Sequence, residues 1–234
     1  MSRVVIVTPT YNERKNIGPL IEAIFKLGIP ELSLVVADDN SPDGTADVAE
    51  VFAGRYPVRV IRRTGEKGLG RAYIEAFRDV MSRENPDYII QMDADLSHDP
   101  AAIPLLLHAA ESADVVIGSR YIGGGQIENW ELSRRLVSRF GNFYARMVLW
   151  LPYRDLTGGF RCFQRKVIDA VPFEKVGSVG YNFMIETLWH IHRGRFFVVE
   201  VPIIFRERKE GVSKFNIGIM IECFWRVLKL RFRG

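Results

Sequence analysis

Residues 88–100 read YIIQMDADLSHDP. The apolar run Tyr88–Met92 ends in three carboxylates, Asp93, Asp95 and Asp99, with His98 among them. A short apolar run bounded by turn residues reads as a buried strand, which puts the acids at a strand tip. One reading is a solvated turn that happens to be acidic. The other is a cation site, because hard divalent ions such as Mg²⁺ take oxygen ligands and share them with a substrate's phosphates.

The same pattern recurs outward from this stretch. Val4–Thr8, Leu32–Ala37, Val58–Ile61 and Val115–Ile117 are also short, β-branched and apolar. Helix-like periodicity lies between them, near residues 16–27, 44–54, 69–83 and 101–111. Regular alternation of this kind predicts a largely parallel sheet with helices on both faces. Sites in such sheets lie beyond the carboxyl ends of the strands. Three of these ends are polar here: TPTYNE, DDNSPDGT and DADLSHD. Tips on neighbouring strands converge, so one crevice is expected to gather them.

Composition bounds the possibilities. The chain has 234 residues, 47% apolar and 26% charged, which suits one α/β domain over 1–234. Its net charge of +4 is unevenly spread. Residues 1–117 carry 12 Lys/Arg against 18 Asp/Glu, and residues 118–234 carry 20 against 10. The first half suits a cation and the second an anion or anionic surface. No basic-aromatic module points to nucleic acid. The two cysteines, Cys162 and Cys223, sit in apolar surroundings and read as buried thiols in a reducing compartment. No secretory signal is visible, and no apolar run reaches the ~18–20 residues of a spanning helix.

The character changes after GSRYIGGG, where Gly123–Gly125 are expected to be mobile. An amphipathic basic helix follows, with Leu132, Leu136, Phe140, Phe143, Met147 and Leu151 on one stripe and Arg135, Arg139, Asn142 and Arg146 on another. RDLTGGFRCFQRK enters a strand, GYNFMIETLWHIH reads as a helix and FFVVEVPIIFRER as one further strand. The tail, 215–234, forms a C-terminal amphipathic helix with Ile217, Met220, Ile221, Phe224 and Leu228 on one stripe. Both helices suit either packing on the sheet or lying in a membrane interface.

At the first tip, Pro9 stiffens the strand exit, Tyr11 offers a flat face to a base, and Glu13 offers a carboxylate to ribose hydroxyls. At the second, Asp38 and Asp39 can accept hydrogen bonds from a base or sugar, and Asp43 can start the turn or cap the next helix. KGLGRAY, residues 67–73, is neither a Walker motif nor GxGxxG, yet a Gly-rich helix start can offer N–H groups to an anion, with Arg71 assisting or merely capping.

In order, PTYNE, DDNSPDGT, KGLGRAY, DADLSHDP, GSRY, TGGFRCF, GYNFMIE and FRERKEGVSK resemble the inverting nucleotide-sugar glycosyltransferases of GT-A fold, and within them the dolichol-phosphate (polyprenol-phosphate) mannosyltransferases. The resemblance spans nearly the whole chain. It implies a GT-A (Rossmann-like), mostly parallel sheet flanked by helices, with amphipathic membrane-facing helices. It implies a divalent cation, Mg²⁺ or Mn²⁺, held mainly by Asp95, with Asp93 and the Ala94 backbone against the nucleotide sugar. Many relatives carry a ligating Gln where this chain has Ser97, a shorter and weaker ligand. Pro9, Tyr11, Glu13, Ala37, Asp39, Lys67, Arg71, Asp93, Ala94 and Lys214 are implied on the donor side. Arg120, Arg208 and Ser213 match positions that contact donor or phosphate, and Arg135, Ser138 and Arg139 are further acceptor-phosphate candidates. Asp95, Arg120 and Arg208 are the implied catalytic set. His98 is expected to be a structural hydrogen-bonder.

The implied reaction transfers mannose from GDP-mannose to a polyprenyl or dolichyl phosphate with inversion, giving a β-linked lipid phosphate sugar. A phosphomonoester has a second pKa near ~6 and arrives already nucleophilic, so no general base is needed. The rivals are a UDP-glucose or UDP-GlcNAc donor, a sugar-hydroxyl acceptor with Asp155 as base, and a non-catalytic nucleotide-sugar scaffold. Some relatives continue into spanning helices where this chain stops. Peripheral attachment to the cytoplasmic face of a membrane, or a separate anchoring subunit, is therefore expected.

Overall fold

The structure is a computed structural model that describes residues 2–178, 180–207 and 217–232, with side chains throughout except at 181 and 217–222. Its centre is a seven-stranded sheet built from β1 (Val4–Thr10), β2 (Leu32–Asp38), β3 (Val58–Arg62), β4 (Tyr88–Gln91), β5 (Val115–Ser119), β7 (Arg161–Gln164) and β8 (Val198–Pro202). The order across it is β3-β2-β1-β4-β7-β5-β8. All pairings are parallel except those of β7, which runs antiparallel to β4 and β5.

The strands are apolar along their length because both faces are covered. Side chains alternate between the faces. Val5 and Val7 join one core with Tyr73 and Phe77 of α3 (Leu69–Arg83), Ala145 and Leu149 of α5 (Leu132–Leu149), and Phe183 and Leu188 of α7 (Tyr181–Arg193). Val4 and Ile6 join the other with Leu20 and Ile24 of α1 (Arg14–Phe25), Ala49 of α2 (Thr45–Phe52), and Ile103 and Leu106 of α4 (Ile103–Ala110). β1 lies between β2 and β4, the point where the strand order reverses, so the crevice opens beyond its carboxyl end.

Two features differ from the sequence expectation, and the glycine run takes a defined shape. FFVVEVPIIFRER is not one strand. It breaks at the buried Ile203 into β8 and β9 (Ile204–Arg206), and β9 pairs in parallel with β6 (Gln126–Glu128) in a separate two-stranded sheet. Gly123–Gly125 form a tight turn into β6: Gly125 N–H donates to Ile122 O at 3.0 Å, and a Cβ on Gly125 would lie 2.6 Å from Ser119 O. Leu151 leaves the apolar stripe of α5 and is buried, because Trp150 ends the helix in a left-handed conformation, φ 56°.

The rest of that stripe points outward. Leu132, Phe140 and Trp150 are 72%, 65% and 76% exposed, while Asn142, Ala145 and Leu149 face the core. α8 (Ile217–Phe232) packs on α5 and α7 through Val227 and Leu230, leaving Phe224, Trp225 and Phe232 exposed.

Candidate active site

One side of the crevice is built from the tips of β1, β2 and β3. Asp38 belongs to the turn itself: its carboxylate accepts from Thr10 Oγ1 at 2.8 Å, Ser41 N at 2.8 Å and Ser41 Oγ at 2.6 Å. Asp43 accepts from Arg14 N and from Thr45, whose Oγ1 in turn accepts from Glu13 N at 2.9 Å. Burial would raise the Asp43 carboxyl, but these hydrogen bonds hold it below its ordinary value. Asp39 forms a buried ion pair with Arg63, which also reaches Glu75 at 2.8 Å. The other Asp39 oxygen accepts from Gly68 N at 2.8 Å. Gly68 has φ 145°, which a side chain would not tolerate, and it turns the chain into α3. Asp39 thereby ties β2 to the Lys67 loop, and the Lys67 ammonium sits 4.3 Å from the Tyr11 ring centroid. The Glu13 carboxylate accepts from Asn16 Nδ2 at 2.7 Å. Pro9 and Ala37 are paired neighbours on β1 and β2. Arg71 is exposed and pairs with Glu66 at 2.5 Å.

The acidic tip of β4 is held from beneath. Asp93 N donates to His98 Nδ1 at 3.2 Å, so that nitrogen is an acceptor and the imidazole is neutral. Burial lowers the His98 pKa, consistent with that state, and the ring stacks on Phe160. Asp95 Oδ1 accepts from Ser97 N at 3.0 Å. Burial pushes the Asp93 carboxyl above the ordinary range, and the Asp95 charge adds to it. Such a pair gains from a neighbouring cation. Among the described residues no group of three or more His, Cys, Asp and Glu could hold a metal ion. The protein therefore offers two carboxylates and the buried Ser97 hydroxyl, which has no hydrogen-bond partner among the described residues. That donor set fits Mg²⁺ or Mn²⁺ sharing its shell with phosphate and water better than a closed protein cage.

Next to the acids lies a cation held rigidly. Arg120 of the β5 tip is buried and bidentate on Asp155, with Nε and Nη2 each donating at 2.7 Å. Asp155 is fully buried and also accepts from the N–H groups of Arg120 and Gly158. Burial would raise its pKa, but Arg120 holds it below the usual carboxylate range. It is thus a counter-ion and loop anchor rather than an accessible base. Arg161, fully buried, donates to the carbonyls of Leu156, Gly158 and Met184 and sets the same loop. Burial lowers its pKa to about 10, so it stays protonated at neutral pH. Rings of Tyr121, Trp130 and Phe205 surround the Arg120 guanidinium at 5.2–5.9 Å.

A cavity of about 560 Å³ joins these groups. Asp93, Asp95, Ser97, Arg120, Arg134 and Ser138 line it together with apolar side chains, most of them from α5 and α8. Ser138 Oγ accepts from Tyr121 OH at 2.7 Å. Arg134 stacks over Trp130 at 4.1 Å and pairs with Glu207 at 2.7 Å. β9 clamps this wall to the acidic loop: Arg206 N donates to Ser97 O at 3.0 Å, and its guanidinium pairs with Asp99 and Glu128.

Of the sequence candidates, Asp93, Asp95, Ser97, Arg120 and Ser138 meet in this cavity, and Ala94 is buried beside them. Arg135 and Arg139 do not line it. Arg135 donates to Ile127 O at 2.7 Å, and Arg139 is exposed. Arg208, Ser213 and Lys214 lie outside the described residues. Sequence reasoning missed Arg134, Trp130, Phe205 and Arg63. Arg134 and Arg135 are adjacent, and helical period alone does not say which one faces inward.

The profile of Glycosyl transferase family 2 matches residues 5–171. A polyprenol monophosphomannose synthase of Mycolicibacterium smegmatis is 40% identical, over 99% of this chain and 88% of its own length. An undecaprenyl-phosphate mannosyltransferase of Micrococcus luteus is 41% identical, over 94% and 90%. A dolichol-phosphate mannosyltransferase of Pyrococcus furiosus is 36% identical over 97% of this chain, which spans 63% of that protein. Among solved structures, glucosyl-3-phosphoglycerate synthase from Mycobacterium tuberculosis superposes with a TM-score of 0.72 at 19% identity, over 98% of this chain and 79% of that one. At that identity the likeness speaks for the fold alone. The α/β sheet is a GT-A fold, and the chain is a glycosyltransferase that belongs to glycosyl transferase family 2.

Proposed function

We propose that the chain transfers mannose from GDP-mannose to a polyprenyl phosphate with inversion at the anomeric carbon. One observation carries this reading: a single cavity is lined by an acidic pair, two arginines and many apolar side chains of α5 and α8. A polyprenyl phosphate is an anion on an apolar tail, and it calls for both kinds of lining in one cavity. The names of the two relatives near 40% identity support the same acceptor and sugar. Arg120 and Arg134 bind and orient the acceptor phosphate, which guanidinium groups suit through bidentate hydrogen bonding. Asp155 keeps Arg120 in place for this task. Tyr11, Glu13, Asp39 and Lys67 are assigned to the nucleotide. No group needs to take a proton, since the phosphate oxygen is ionised before it attacks.

Mg²⁺ or Mn²⁺ fits the acidic tip, with Asp95 and Asp93 as ligands and the partnerless Ser97 hydroxyl near enough in sequence to complete the set. When bound, such an ion supplies charge neutralisation to the departing diphosphate. No helix among the described residues is long and apolar enough to cross a membrane. The outward stripe of α5 with Phe224, Trp225 and Phe232 of α8 instead suits an interfacial position, where the cavity can take a lipid directly from the bilayer.

The test is incubation with labelled GDP-mannose, short-chain polyprenyl phosphate and Mn²⁺, followed by extraction of labelled lipid. Mannosyl lipid should form, chelator should stop it, and Asp95→Ala should abolish it with no change in thermal stability. Failure to label lipid from GDP-mannose, with transfer from UDP-glucose or UDP-GlcNAc instead, would replace the donor assignment.

A further inference from the structure

Tyr73, in the KGLGRAY stretch, lies in the second turn of α3 and is fully buried. Its ring stacks on Phe183 of α7, with centroids 5.8 Å apart and planes 6° apart, and on Phe77 at 5.7 Å. Phe183 in turn presses on Gly70, where an added Cβ would fall 2.9 Å from its ring. A phenylalanine would fill this packing equally well. What the tyrosine adds is a hydroxyl, and a buried hydroxyl is costly unless it finds a partner.

The partner is the crevice carboxylate. Tyr73 OH donates to Asp93 Oδ1 at 3.2 Å. Asp93 is thus held at two points, by His98 and by Tyr73, and Tyr73 does not line the cavity. His98 Nδ1 accepts from its main-chain N–H, and Tyr73 fixes its side chain. The carboxylate lies over Gly159, where an added Cβ would come 3.2 Å from Oδ2 and 3.3 Å from Oδ1. The glycine leaves that side of the carboxylate open to the cavity.

We infer that Tyr73 is a positioning residue, whose hydroxyl commits one oxygen of Asp93 to the protein so that the other is presented to the donor. The inference rests on the proposed reading in which Asp93 contacts the nucleotide sugar. It makes the hydroxyl a source of orientation rather than of stability. A carboxylate free to rotate would lose part of the advantage of a preset geometry.

Tyr73→Phe tests this, because it removes one oxygen and leaves the stack intact. Two measurements are needed besides thermal stability. The first is binding of GDP-mannose by titration calorimetry with Mn²⁺ and no acceptor. The second is steady-state transfer with kcat and the acceptor KM resolved. The expected result is a loss of about tenfold in donor affinity or kcat, the scale of one hydrogen bond to a charged group. The acceptor KM and melting temperature should stay at parental values. On an Asp93→Asn background, itself strongly impaired, the same substitution should cost little more. If Tyr73→Phe matches the parent in binding and turnover while Asp93→Asn is impaired, the positioning role is overturned and the site reading survives. If Asp93→Asn binds donor and turns over normally, the site reading fails and the positioning role falls with it.

Discussion

Asp155 precedes TGGFR, and a carboxylate there can be a base or a brace. Its surroundings decide the matter. It has no exposed surface, and it accepts from Arg120 through both side-chain and main-chain donors. Asp155→Asn keeps the shape and removes the charge, leaving Arg120 buried without its counter-ion. Breaking such a pair costs about 3–5 kcal/mol, which urea unfolding at pH 7 would register. The folded Asp155 has a depressed pKa, so its contribution is present above the unfolded value near ~3.9 and is lost as pH falls through the folded one. The stability gap between parent and variant should therefore be full at pH 7 and close only in acid below about pH 4. A gap that stays constant down to acid would show that the loss is not one of charge. The acidic tip itself was readable in the sequence because Asp93, Asp95 and Ser97 fall within five residues of one another and line the same cavity. The partners of Asp39 and Asp93 were not. Arg63 and Tyr73 reach them across turns of the fold that no local pattern encodes.

At the scale of elements, the buried parallel strands were legible because each is a continuous apolar run. β6 and β9 were not: three residues each, they are half-exposed and take their register from each other and from the Ser97 loop. The antiparallel course of β7 was equally hidden, since apolar alternation carries no direction. α5 shows the limit from the other side. Its apolar stripe was visible, but the residues that pack inward are Asn142, Ala145 and Leu149. Asn142 is buried for a polar reason, accepting from Leu156 N at 2.7 Å and donating to Ser138 O at 2.9 Å. The seam between α3 and α7 yields a prediction. Replacing a helical glycine by alanine ordinarily stabilises by about 1 kcal/mol. At Gly70 the new Cβ would meet the Cδ2, Cβ and Cγ atoms of Phe183 at 2.9–3.0 Å, and that ring is wedged against Tyr73. Gly70→Ala should reverse the sign and destabilise by about 1–3 kcal/mol in chemical denaturation. A variant as stable as its parent would show that Phe183 yields and that the seam is looser than its geometry implies.

The chain has an uneven charge and, among the described residues, an exposed apolar face, and the two belong to the same argument. The half after residue 117 carries 20 Lys/Arg against 10 Asp/Glu, and it contains both α5 and α8. Arg231 lies 5.0 Å from the Trp150 ring centroid, so basic and aromatic groups meet at the end of the stripe. A contiguous exposed row of this kind on a folded protein marks a surface that something covers. For an enzyme whose proposed acceptor is a lipid, the cover consistent with both charge and polarity is an anionic bilayer interface. Each large apolar side chain withdrawn from water contributes about 1.5–3 kcal/mol, and each basic residue near anionic head groups about 1 kcal/mol. Leu136 and Phe143 are well exposed and do not line the cavity, so changing them leaves the site intact. Leu136→Glu with Phe143→Glu should reduce sedimentation with phosphatidylglycerol-containing vesicles by about 100-fold or more, since two such losses add and new like charge repels. The melting temperature should not fall. Transfer to a short, detergent-dispersed polyprenyl phosphate should persist, because that acceptor needs no bilayer. Parental binding should also weaken as salt is raised, through screening of the basic residues. If the double variant sediments with vesicles as its parent does, the stripe is not the docking face, and the cavity between α5 and α8 must receive its acceptor from another direction.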